Sequence, residues 1–404
     1  MKDPLKDTRP RLRPFRYAVV ALTALVVLSL GFALIPAEKP APAEPPFSER
    51  ARAAALAEAL DLRAAGMQLA STGAADPAVM DPVVTLLTIQ ARALLFPAAG
   101  SAPATALASA SPSSTSPPIS AAGFVQAMAA SGTARVRDAE TADGGVARLL
   151  AGTGAAQLLA AGRLATALGV PAPEPAANSE MTSSGPATTV PCPAPSGQAS
   201  GPATAPVGSG AGLPADTRHA LASAVSAEQQ AVYGYQAALP RLAPAQAGPA
   251  SEFLARHKEL AAAAEERLRL ACGTPVPQQP GYVLDPGFLA APAVNLGRLE
   301  AAAATSYGDL VAVSQGQDRA WAVSALQAAA DRAVRWGVDP GPVPGLALDV
   351  SQLPVLPGDA GRPGGAGPST GAALSTGTGP ATAPGPTTGA GLPTGDLPKT
   401  PAAS

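Results

Sequence analysis

Apolar positions fall into three patterns along the chain. The first is an unbroken run: Tyr17 to Ile35 carries no charge over 19 residues. As a helix rising about 1.5 Å per residue it spans roughly 28 Å, the thickness of a hydrocarbon core. Lys2, Lys6, Arg9, Arg11, Arg13 and Arg16 precede it, against Asp3 and Asp7. This excess predicts a basic cytoplasmic segment at 1–16, a single transmembrane helix at 17–35 and an extracytoplasmic remainder in the cell membrane or envelope. A cleaved signal, giving a secreted protein, is the rival reading, with Ala41-Pro42-Ala43 as its small-residue motif. The run is longer than the usual signal core of about 7–15 residues, which favours the anchor.

The second pattern is helical periodicity broken by turn residues. After a Pro-rich spacer at 36–47, residues 48–170 read as about four helices. Ser48 opens one that carries Leu56, Leu60 and Met67. Asp76-Pro77 and Asp81-Pro82 each pair an N-cap acid with a first-turn proline, and the helix behind them carries Val83, Leu87, Gln90 and Leu94. A third starts near Ser120, with Phe124 and Met128. A fourth follows Asp143-Gly144-Gly145 and carries Leu150, Leu158, Ala161, Leu164 and Leu168 to Gly169. Prolines at 103, 112, 117 and 118 predict a disordered insert at 97–118. With no His, Cys, Trp or Tyr, this module offers catalysis almost nothing.

The third pattern is a 3–4 repeat over 214–340 with polar residues on the seams. Leu221, Val225, Glu228, Val232, Tyr235 and Leu239 share one face, as do Phe253, His257, Leu260, Ala264 and Leu268 on a segment entered at Pro249 and ended by Gly273. Leu296, Glu300, Ala303, Tyr307 and Leu310 line a third, and Trp321, Val323, Leu326, Ala330 and Ala333 a fourth, with Asp331 near its edge. Glu228, His257 and Glu300 are thereby predicted to point inward. A Pro/Gly/Ser/Thr linker at 171–213 and a disordered tail at 341–404 flank this bundle. They share the repeat Gly201 to Pro206, which returns at Gly379 to Pro384.

Composition sharpens the division. The chain has 41 Gly and 46 Pro, only 14% charged residues, and a net charge of −2, which excludes an extended basic surface for nucleic acid. Abundant Ala favours helices over sheets, so the fold class is all-α. Eight of the fourteen aromatic residues lie in 214–340.

The segment Ala227-Glu228-Gln229-Gln230-Ala231-Val232-Tyr233-Gly234-Tyr235 resembles the first-helix signature of a ferritin-like domain of unknown function in exported actinobacterial proteins. Ala255 to Leu260, Arg298 to Ala303 and Asp331 to Trp336 resemble its other three helices. The resemblance implies a ferritin-like four-helix bundle and carries no established activity. Dinuclear sites of that architecture use two Glu plus two Glu-x-x-His pairs. Here Glu228 is followed at the third place by Ala231 and Glu300 by Ala303, so the set is incomplete and the reading leans away from an enzyme. Two alternatives stand. One is a metal-free polar network in a structural or partner-binding envelope protein, acting with a protein partner or a second copy of itself and needing no cofactor. The other is a site for iron or another divalent ion built from Glu228, His257 and Glu300.

No phosphate loop, dinucleotide fingerprint, nucleophile elbow or Cys-x-x-Cys is present. Cys192 in the linker and Cys272 at the end of the second bundle helix form an even pair in an oxidising compartment. Either they bridge, closing a loop of about 80 residues, or both remain thiols.

Overall fold

Turn chemistry sets several of the helix ends. In the computed structural model of the chain, residues 13–33, 44–95, 119–173, 215–284, 286–357 and 359 are described, and they form ten α-helices and no strand. The insert at 97–118, nearly all of the linker, and the chain beyond 359 lie outside the described residues.

Helix α1, Arg13–Ala33, begins four residues ahead of the apolar run. Side chains 16–28 are exposed. Among the described residues, α3 is long and apolar enough to cross a membrane by length and composition alone, and Arg16–Leu28 of α1 is a shorter apolar stretch.

Helices α2 (Phe47–Ser71), α3 (Pro77–Leu95), α4 (Ala121–Thr141) and α5 (Gly144–Leu168) make the first array, with α2 against α3 and α4, and α4 against α5. Asp76 Oδ1 accepts from the Ala78 N–H and Ser120 Oγ from the Gly123 N–H, so both act as N-caps. Gly169 closes α5 in the left-handed region. Asp81-Pro82 does not open a helix but lies within α3. Ser48 caps nothing: its hydroxyl donates to Asp143 and accepts from the Asp143 N–H, so it ties the start of α2 to the start of α5. Met80, Leu87, Phe124, Val125, Met128 and Leu164 fill the core of this array.

Helices α6 (Ala215–Ala238), α7 (Pro244–Leu270), the single turn α8 (Pro286–Ala290), α9 (Pro292–Val313) and α10 (Gly316–Arg335) form the bundle. α6 packs on α7 and α9, and α9 on α10. α7 starts five residues before Pro249, because Pro244 already occupies its first turn and Pro249 is taken into the helix.

The array and the bundle belong to one compact unit, Met1–Val355. α5 packs on α9 and α10, and α4 on α10. Arg148 pairs with Asp309 at 2.6 Å, and Arg319 donates to the Ala142 carbonyl.

Residues 338–355 were expected to belong mostly to a disordered tail, and the structure corrects this. They form a strap with Val343 and Leu353 buried. Its one helical piece is the 3-10 turn Val350–Gln352; Pro340, Pro342 and Pro344 keep the stretch before it out of an α-helix and leave carbonyls there in need of donors. Polar side chains of α3 and α5 supply them. Gln90 Nε2 donates to Pro342 O at 2.9 Å, Arg148 Nε to Gly345 O at 2.7 Å, and Arg92 to the carbonyls of Val350, Leu353 and Pro354. The close approach needs glycine: a Cβ on Gly152 would lie 2.5 Å from Pro344 O, and one on Gly308 would collide with the Gly345 backbone. Of the second unit, Leu356–Ser404, the described part is a turn in which the Asp359 N–H donates to Leu356 O.

Candidate functional site

The seam positions of α6, α7 and α9 converge. Glu228, His257 and Glu300 are each fully buried. The His257 ring sits between the carboxylates, with Nδ1 at 2.7 Å from Glu228 Oε2 and Nε2 at 2.9 Å from Glu300 Oε1. A neutral imidazole has one N–H, whereas two carboxylate acceptors ask for two. Burial opposes charge on this ring, yet the hydrogen bonds and negative charge of Glu228 and Glu300 together outweigh it and raise its pKa above the ordinary 6.5. In its protonated form, which this shift favours, His257 donates from both nitrogens, one to each carboxylate.

The surrounding groups complete the set. Tyr307 OH donates to Glu228 Oε1 at 2.7 Å and Tyr235 OH to Glu300 Oε1 at 2.6 Å. Burial, reinforced by the neighbouring carboxylates, holds both phenols well above their usual range, so they stay protonated donors. Trp336 Nε1 donates to the Tyr235 oxygen at 2.6 Å, and Phe253 packs edge-on to Tyr235 and Trp336. From α10, Arg332 Nε donates to Glu300 Oε2 at 2.9 Å. Burial works against its charge, but Glu300 and Glu228 more than compensate and raise its pKa. For Glu300 burial likewise favours the neutral form, and His257, Arg332 and Tyr235 reverse this, leaving its pKa lowered.

Two carboxylates, one imidazolium and one guanidinium sum to zero. All four carboxylate oxygens already accept a hydrogen bond, and a doubly protonated ring has no lone pair for a metal. The set as it stands does not fit a divalent cation, which would bring two further positive charges beside Arg332. Among the described residues no group of three or more His, Cys, Asp or Glu is disposed to hold an ion.

His219 is exposed near the start of α6, apart from this cluster. Asp331 faces outward and pairs with Arg335 at 2.8 Å. Its neighbour Arg332 is the residue that the sequence reading missed by number. The signal was present: Ala322, Ala325, Ala329, Arg332 and Trp336 follow steps of 3, 4, 3 and 4, a seam of their own on α10. Cys272 follows α7 with a φ of 56° and is disulfide-bonded. The only other cysteine in the sequence, Cys192, lies outside the described residues.

A family described as a domain of unknown function (DUF4439) matches residues 220–348, from the first turns of α6 through the first half of the strap. No curated protein and no solved structure matches the chain.

Proposed function

We propose that this is a membrane-anchored, extracytoplasmic protein of the cell envelope, built on a ferritin-like bundle that serves a structural or partner-binding role without metal. The observation that carries the reading is the buried core of Glu228, His257, Glu300 and Arg332, in which the cationic partners of both carboxylates are side chains of the bundle itself. Such a core favours one packing of the helices, because any slip would strand a buried charge. α1 is the anchor in this reading, and the linker and tail are spacers. Elemental analysis after native purification, with and without prior loading with iron(II), manganese(II) or zinc(II), tests it. Metal well below one equivalent is expected, and one or two equivalents would overturn the reading. Protease accessibility from outside intact cells tests the topology separately.

The alternative is a metal-binding or metal-dependent redox protein using Glu228, His257 and Glu300. It draws on the 2.7 and 2.9 Å approach of both carboxylates to one ring. It requires His257 to lose a proton and Arg332 to leave Glu300.

A further inference from the structure

Helix α3 has more apolar surface than its packing uses. It is apolar enough to cross a bilayer, yet it sits in a folded array with Met80, Leu87 and Leu94 inward while Val79, Leu86 and Ile89 remain half-buried. Those three side chains face α5 across a groove of about 420 Å³, completed by Leu159 and Arg163 of α5 and roofed by the strap at Pro342. The size falls in the lower part of the range for small-molecule sites, about 300–1,000 Å³. From Ala78 to Ile89 its floor runs roughly 16 Å at about 1.5 Å per residue. Arg163 is exposed on the rim, and among the described residues it has no hydrogen-bond or ion-pair partner. Asp339, the carboxylate among the lining residues, accepts from the Gly341 N–H.

We propose that this groove binds one acyl chain bearing a carboxylate, a free fatty acid, with the chain laid between α3 and α5 and the head paired to Arg163. A narrow apolar trough suits a flexible hydrocarbon, and its volume admits one chain rather than two. A guanidinium on the exposed rim matches a carboxylate in a two-point hydrogen-bonded pair. The site is remote in sequence from the ion network and independent of whether α1 is an anchor.

The test is photo-crosslinking of the purified full chain in detergent with a diazirine-bearing dodecanoate, mapped by mass spectrometry. Crosslinks on α3 and α5 peptides are expected, displaced by dodecanoate and at least tenfold less well by dodecanol. Within the groove's length, each methylene added to the competitor improves displacement about fourfold. Arg163→Ala weakens the acid tenfold or more and leaves dodecanol unchanged. Ala167→Trp, or Ala78→Trp from the opposite rim, fills the groove and abolishes labelling while thermal unfolding is preserved. Labelling confined to α1, equal competition by dodecanol or by a two-chain phospholipid, insensitivity to Arg163→Ala, or blocking by dimerisation of the chain would each overturn the proposal.

Discussion

Arg332 and Glu300 meet inside the bundle, Nε to Oε2 at 2.9 Å, from adjacent helices and 32 residues apart in sequence. The carboxylate they share with His257 is fully buried, so removing either cation leaves charge where water cannot reach it. Arg332→Met is expected to cost about 3–5 kcal/mol, and Arg332→Met combined with Glu300→Gln less than the two single changes summed. Urea denaturation of the four proteins in the cycle measures the coupling. Simple additivity would mean that the pair contributes nothing beyond its separate parts.

The same cluster sets a pH profile. His257 has a raised pKa, so its contribution is complete below the ordinary value of 6.5 and is lost as pH rises through the folded value. Glu300 has a lowered pKa, so its contribution is complete above the ordinary 4.5 and is lost as pH falls through the folded value. Stability from these two groups is therefore greatest between about pH 4.5 and 6.5. In His257→Gln the alkaline limb should flatten while the acid limb persists, read from melting temperatures across buffers.

The strap gives a steric test. Gly308→Val drives a side chain into the Gly345 backbone and should cost about 1–3 kcal/mol while opening residues 338–355 to protease. Gly162 in α5 has nothing within 4 Å of its missing Cβ. Gly162→Ala should therefore stabilise by about 0.5–1 kcal/mol through helix propensity alone. Limited proteolysis and thermal unfolding distinguish the two substitutions. Equal behaviour would remove the steric account.

The disulfide at Cys272 is expected to reach Cys192, the only other cysteine in the sequence. In unfolded, unreduced protein no thiol should react with maleimide, and two should react after reduction. Closing a loop of about 80 residues adds about 4 kcal/mol by chain entropy, so reduction should lower the midpoint of unfolding. Full labelling without reductant would show that the pair is open.

Much of the all-helical fold was legible in the sequence, because periodicity and caps act locally: Asp76, Ser120 and Gly169 end or begin helices as their chemistry dictates. Glu228, His257 and Glu300 were legible as inward groups because each interrupts an apolar seam. Arg332 was not, since a charged residue on a helix ordinarily reads as solvated surface and its partner lies on another helix. The strap was hidden for a different reason. Gly and Pro lower its apolar content to that of a disordered segment, and its order comes from donors supplied some 250 residues earlier, such as Gln90 and Arg92.

That dependence has a consequence for the order of events in synthesis. Gly152 and Gly308 form close seats for a strap that is translated after both of them, so α5 and α9 are complete well before the piece that fastens across them exists. Local helix formation proceeds as the chain emerges, but final locking waits for residues 343–354. A ribosome stalled before that point holds a chain with its helices formed and its fastening missing.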